Sequence, residues 1–282
     1  MAKTPAEELM ERETRVSFGR VPHSLFSGDL REGSWQLHGD QFLLRGEGHH
    51  YFHYRQGRGV TVERGSDADL SEESLWLNGS VYAAIASLNG LLPVHASAVA
   101  HNGQVFAFTG PAGSGKSTLI AGLGNRGLAM FCDDTLILNL ADDRPIVCLP
   151  GHKRLKLTPE GIEVTGTARE ERVSRSLDKF YARPPAGEVG AVLPLARLIF
   201  LEDGGDLQIS PISGAERFVM VRDEHYTAHL FAAARNFDRA SQFAHLSCLA
   251  RQIEMARFVR PRDTARFDEG VATVADYIKA VA

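Results

Sequence analysis

Between Phe106 and Gly122 the chain reads FAFTGPAGSGKSTLIAG, and no other stretch restricts the fold so tightly. Gly110 to Ser117 fits the pattern G-x-x-x-x-G-K-[ST], a loop that leaves a buried strand, wraps a phosphate chain and opens a helix. Gly110, Gly113 and Gly115 let the backbone curl so that its amides face phosphate oxygens. The helix that follows presents its positive end to the same anion. Lys116 is placed to neutralise the outer phosphates and the Ser117 hydroxyl to meet Mg2+. Ala112, Ser114 and Thr118 complete the expected contacts to a nucleoside triphosphate, taken as ATP.

A phosphate loop says that phosphate is held, not where it goes. The next strand, LAMFCDD, ends in two carboxylates, Asp133 and Asp134, soon after Lys116. Side chains alternate along a strand, yet at its end both can reach one site through the turn. One aspartate then holds magnesium and the other takes the proton of an attacking hydroxyl. His95, in LPVHASAV, sits just before the strand that leads to the loop, where it can polarise phosphate or orient the aspartates.

The surroundings are those of a globular protein. Of 282 residues, 44% are hydrophobic and the net charge is -4, which argues against a chain-wide affinity for nucleic acid. No apolar run is long enough to span a membrane and no export signal opens the sequence. Cys132, Cys148 and Cys248 are dispersed and odd in number, the pattern of reduced buried thiols, so a cytoplasmic location is expected. The first fifteen residues read as polar, helix-permissive and loose. From Val16 to about Glu63, short runs broken by glycine turns predict hairpins. A helix is expected from roughly Ser74 to Leu88, and helical texture over Glu224 to Phe258. A last helix runs from about Asp263 with Val271, Val274, Ala275 and Ile278 inward.

Taken in order, the histidine strand, turn, strand, phosphate loop, helix and Asp-Asp strand resemble the HPr kinase/phosphorylase family. The resemblance is closest from Leu92 to Leu138 and fainter in LPGHKRLKL and CLARQIEMARFVRPRD, where a helix leads into a strand and a Pro-Arg-Asp turn. It implies an α/β fold with a mixed α+β sheet, a P-loop kinase core of the HPr kinase and phosphoenolpyruvate carboxykinase type. A β-rich portion over residues 1–90 precedes a catalytic domain over 91–282. It also implies ATP and Mg2+ as cofactors, Asp133 as the base, Asp134 as a magnesium ligand beside Ser117, and His95 as an active-site partner. Some such proteins phosphorylate a serine on the precursors of ribosomally made peptides, lasso peptides among them. The expected acceptor is therefore a serine on a small protein or peptide. The Glu-Arg-Gly segment of the bifunctional enzymes is absent, which argues against phosphorolysis and against HPr itself as acceptor. Ring assembly among such relatives leaves a homo-oligomer open.

Other features are ranked lower. His49, His50 and His53 in HHYFHY do not share a strand face, so they read as hairpin residues with aromatic cross-strand neighbours rather than as a metal site. Of Lys153, Arg154 and Lys156, Arg154 is the preferred phosphate contact because of its forked guanidinium. Arg222, Arg235 and Arg239 are further candidates for the transferred group, while FVRPRDTAR reads as surface. Two other classes stay open on the residues alone: a small-molecule kinase, and a nucleotide-gated peptide-binding module without transfer.

Overall fold

The computed structural model describes residues 3–26, 28, 30–140, 145–223 and 239–282. The first residues form the helix their composition permits, Pro5–Glu13, but it is anchored rather than loose. The Thr4 hydroxyl accepts from Glu7 N while the Glu7 carboxylate accepts from Thr4 N, a reciprocal cap that fixes the first turn. At the other end the buried Glu13 carboxylate accepts from Tyr54 Oη at 2.9 Å and Gly57 N at 2.7 Å.

Five strands follow: β1 (Val16–Phe18), β2 (Trp35–His38), β3 (Gln41–Arg45), β4 (Tyr51–Arg55) and β5 (Gly59–Glu63). They form one sheet in the order β1-β5-β4-β3-β2, with β2 to β5 antiparallel, as the turn signals predict, and β1 parallel to β5. The expected helix runs as Glu72–Trp76 and Tyr82–Leu88, joined by a widened π-turn at Leu77–Val81 where Gly79 leaves helical geometry. In the histidine-rich stretch, Glu47–His49 is a 3-10 turn, and His53 stands across from Leu43 and Thr61, so its cross-strand neighbours are not aromatic.

The second sheet carries the phosphate loop. Its strands are β6 (Leu92–Val94), β7 (Ala96–His101), β8 (Gln104–Thr109), β9 (Ala129–Cys132), β10 (Leu136–Asn139) and β11 (Val147–Leu149). After a small antiparallel sheet of β12 (Leu155–Leu157), β13 (Arg169–Arg172) and β14 (Phe180–Ala182), β15 (Leu193–Asp203), β16 (Gln208–Ile212) and β17 (Glu254–Arg260) complete it. The path is β6-β10-β11-β15-β8-β7-β9, with β17 beside β15 and β16 outside β17. Along β8 the side chains alternate between two cores: Val105 and Ala107 join one, Phe106 and Phe108 the other. A sheet buried on both faces explains the unbroken apolar run of VFAF.

One core packs the phosphate-loop helix Lys116–Asn125 against the closing helix Phe267–Val281, whose Val271, Val274, Ala275 and Ile278 face inward. The other joins Phe42, Leu44, Phe52 and Tyr54 of the first sheet to Leu92, Ala96 and Phe131 of the second. The two portions of the chain thus share a hydrophobic core across residue 90. Among the described residues of the region expected to be helical from Glu224 to Phe258, Arg239–Gln252 is a helix and Glu254–Arg260 is strand β17. The segment 224–238, Arg235 included, lies outside the described residues. Among the described residues no helix is long and apolar enough to cross a membrane.

Candidate functional site

β8, β15 and β17 run parallel, with Phe200 level with Thr109 and Asp203 level with Arg260, so their carboxyl ends open on one side of the sheet. Ligands of such sheets bind beyond those ends. Here a cavity of about 810 Å³ is lined by the whole loop from Gly110 to Leu119, with His95, Ser97, Asp134 and Lys156 at one end.

The loop takes the backbone course its glycines permit. Gly115 has φ 80° and Gly113 φ 78°, both left-handed, and Gly115 caps the helix Lys116–Asn125. Ala112 and Thr118 line the cavity, and Ser114 is buried under the loop. Lys116 is turned onto its own loop, with Nζ donating to Gly110 O at 2.7 Å and Pro111 O at 3.0 Å.

β9 reaches the loop because β7 pairs with both β8 and β9. The two aspartates at its end have distinct surroundings. Asp133 is fully buried. Its Oδ1 accepts from Ser97 Oγ at 2.6 Å and Ser117 Oγ at 2.7 Å, and its Oδ2 from Lys156 N at 2.9 Å. Both oxygens are committed, and Asp133 does not line the cavity. Asp134 does. It has φ 73°, and Thr135 N donates back to Asp133 O at 2.9 Å across it, a tight turn that is costly for a residue with a β-carbon. Backbone strain of this kind gathers where geometry is functional.

Two side chains hold that turn. His95 Nδ1 lies 3.0 Å from the Asp134 carbonyl, so Nδ1 bears the proton and donates, and it lies 3.4 Å from Asp134 Oδ1. Burial, reinforced by the charge of Lys116, lowers the His95 pKa and keeps the ring neutral near pH 7. Lys156 Nζ lies 2.5 Å from Asp134 Oδ2. Burial works against the charge of both partners. For Asp134 the attraction of Lys156 and then His95 outweighs it and holds the carboxyl at about 2. For Lys156 the two aspartates outweigh it and raise the ammonium above its ordinary value.

The basic segment after β17, expected on the surface, lines the cavity. Arg260 Nη2 donates to Ser114 O, and Arg262 Nη2 donates to Gly113 O at 3.2 Å while its Nε meets Asp203 at 2.9 Å. The loop is therefore braced from outside through two carbonyls. Burial lowers the Arg260 pKa. Arg154, by contrast, is not at the loop. It pairs with Glu170 and Glu171, each at 2.7 Å, and stacks over Tyr181. Its neighbour Lys156, flanked by the buried Leu155 and Leu157, is the basic residue of GHKRLKL beside the aspartates, and Lys153 is spent on the carbonyls of Phe131 and Val189. Arg222 and Arg239 are exposed and do not line the cavity.

Among the described residues no cluster of three or more His, Cys, Asp and Glu could cage a metal. Magnesium does not require one: one or two carboxylates, a hydroxyl and substrate phosphates suffice. The Ser117 hydroxyl beside Asp133, with Asp134 close by, is an all-oxygen donor set of that kind.

No family model matches the sequence, and no curated protein matches it. Among solved structures the chain is similar to the HPr(Ser) kinase/phosphatase from Coxiella burnetii, at 13% identity, covering 66% of this chain and 98% of that chain with a TM-score of 0.33. The chain itself is a mixed α/β protein built on mixed sheets.

Proposed function

We propose that this protein is a magnesium-dependent phosphotransferase that moves the γ-phosphoryl group of ATP to a serine hydroxyl on a small protein or peptide. The observation that carries the reading is the hydrogen bond from Ser117 of the phosphate loop to Asp133, with Asp134 next to it facing the same cavity. A loop that only gripped phosphate would not need a strained carboxylate beside it.

The cavity has two unlike ends. Leu207, Pro261, Phe267 and Val271 make an apolar wall on the Arg260 side, suited to a nucleoside, and His95, Asp134 and Lys156 make a polar end, suited to an acceptor hydroxyl. The loop between them, with Lys116 released from its own carbonyls, takes the phosphates. Ser117, oriented by Asp133, would hold magnesium, with Asp134 at its edge; when bound, the metal would neutralise charge building on the phosphates.

This assigns the aspartates differently from the resemblance. Asp133 has no free oxygen and no exposure, so its part is to position Ser117. Asp134 is the carboxylate that faces an acceptor. A group held at about 2 is a weak base, but phosphoryl transfer runs through a loose transition state in which the hydroxyl keeps its proton until late. Asp134 orients the hydroxyl and receives that proton as the new P–O bond forms and the bond to ADP breaks.

The test is intact-mass analysis of a serine-centred peptide library after incubation with ATP, magnesium and the protein. A gain of one phosphate, lost with Asp134→Asn, is expected. ATP binding without transfer to any peptide would refute the peptide-kinase reading, and turnover of a free metabolite in the same assay would identify a small-molecule kinase.

A further inference from the structure

The small sheet of β12, β14 and β13 lines the cavity opposite the phosphate loop. β12 and β14 are antiparallel with Lys156 opposite Tyr181 and Leu157 opposite Phe180. One step further along this register Thr158 comes level with Lys179. By the period of two, Lys156 and Thr158 on one strand and Tyr181 and Lys179 on the other share a face. Lys156, Thr158 and Lys179 all line the cavity, so this is the face turned toward the loop.

The two lysines of that face differ. Lys156 is buried and bound to Asp134. Lys179 is half-buried, and no described carboxylate lies within ion-pair distance of its ammonium. It is nonetheless close enough to Asp134 to help lower that carboxyl, after the larger effects of Lys156 and His95. The other cations of the cavity are engaged: Lys116 with loop carbonyls, Arg260 and Arg262 with the loop from behind, Arg266 with Glu269. The backbone of Lys179 is fixed, since Val173 N donates to its carbonyl at 2.9 Å, and Phe180 beside it is buried under the guanidinium of Arg169. A lysine with an ordered backbone and an uncommitted head, across from a phosphate loop and beside the acceptor-facing carboxylate, is placed for an oxyanion that arrives with the ligand.

We infer that Lys179 contacts the terminal phosphoryl group of the bound nucleotide, from the side opposite Lys116, and meets the charge of that group as it passes to the acceptor. The inference rests on the reading of the cavity as an ATP site. It departs from sequence reasoning, which sought this cation at Arg222, Arg235 and Arg239; Lys179 is a lone residue in a stretch without a motif, and only the register of β12 with β14 brings it to the loop.

The experiment compares dissociation constants for ADP and for a non-hydrolysable ATP analogue, both with magnesium, by titration calorimetry of the full chain and of its Lys179→Gln and Lys179→Arg variants. Loss of a charge-assisted hydrogen bond to phosphate should weaken the ATP analogue about tenfold or more. ADP affinity should stay within about twofold, since ADP lacks the contacted group, and Lys179→Arg should recover most of the difference. A half-exposed side chain without an ion pair can be exchanged without unfolding the chain, which a denaturation curve for each variant checks. Equal weakening of both nucleotides, or no change in either, would overturn the assignment of Lys179 and leave the ATP site standing. Failure of wild type to bind either nucleotide would overturn both.

Discussion

Removing Lys156 while keeping Asp134 tests the polar end of the cavity most directly. Lys156 is 7% exposed, and its Nζ lies 2.5 Å from Asp134 Oδ2. Truncating one partner of a buried pair costs about 3–5 kcal/mol, because the other charge is left without compensation. Asp134 retains His95 at 3.4 Å and is 26% exposed, so the lower end applies. The carboxyl gives an independent figure: held at about 2 against an ordinary 3.8, it corresponds to about 2.5 kcal/mol. Lys156→Met, which keeps the aliphatic stem, should therefore lose about 3 kcal/mol near pH 7, read as a lower urea midpoint at unchanged slope. In an Asp134→Asn background the same change should cost about 1 kcal/mol, a coupling of about 2 kcal/mol. The pH dependence is equally specific. In wild type the lowered carboxyl contributes stability that is fully present above its ordinary value of 3.8 and is lost as pH falls through about 2. In Lys156→Met burial is opposed far less and the carboxyl rises, so the variant is penalised only where Asp134 is ionised. The gap between the two proteins should therefore be widest at neutral pH and close as pH falls from about 5 to 2. Equal cost of Lys156→Met in both backgrounds, or a gap constant with pH, would refute the pairing.

Other expectations follow from the same contacts. Asp133→Asn turns an acceptor of three hydrogen bonds into a group with one oxygen and an amide facing donors, so about 2 kcal/mol of stability should be lost, and calorimetry should show weaker nucleotide binding in magnesium but not in its absence. Arg260→Met removes the brace on Ser114 O and should reduce nucleotide affinity about tenfold, with the far-ultraviolet circular dichroism unchanged. Deleting residues 1–90 strips Phe42, Leu44, Phe52 and Tyr54 from the core they share with Leu92 and Phe131, so the remainder should lose cooperative urea unfolding; a sharp transition would show that the second sheet is independent.

What the sequence made legible is the part governed by local geometry. The phosphate loop, its strand and helix, and the return of LAMFCDD to its side all follow from contiguous residues, because a Gly-rich turn, a helix stop at Gly127 and an apolar strand leave few alternatives. The inward face of the last helix was equally readable from its period, since Val271, Val274, Ala275 and Ile278 fall on one stripe. The apolar strand Glu254–Arg260 is hidden from a reading by period, since a short apolar run does not declare one; the resemblance in CLARQIEMARFVRPRD, a helix leading into a strand and a Pro-Arg-Asp turn, does place it there.

Contacts between distant segments were not legible, and they divide the site's charges. FVRPRDTAR looks like any solvated basic stretch. It becomes part of the loop only because β17 runs parallel to β15 and β15 to β8, which places Arg260 and Arg262 at Ser114 and Gly113. Arg154 was preferred over Lys156 on the chemistry of its fork, yet the fork is occupied by Glu170 and Glu171 across the small sheet. The adjacent aspartates present the sharpest case. As sequence they are interchangeable. In the fold one oxygen of Asp133 is taken by hydroxyls from β7 and the loop helix and the other by a backbone amide of β12, so that of the two only Asp134, turned through a left-handed φ, faces the cavity. Which carboxylate faces the cavity is therefore decided by three segments far apart in the chain, and a change in any of them, Ser97, Ser117 or the strand bearing Lys156, should alter the site without touching either aspartate.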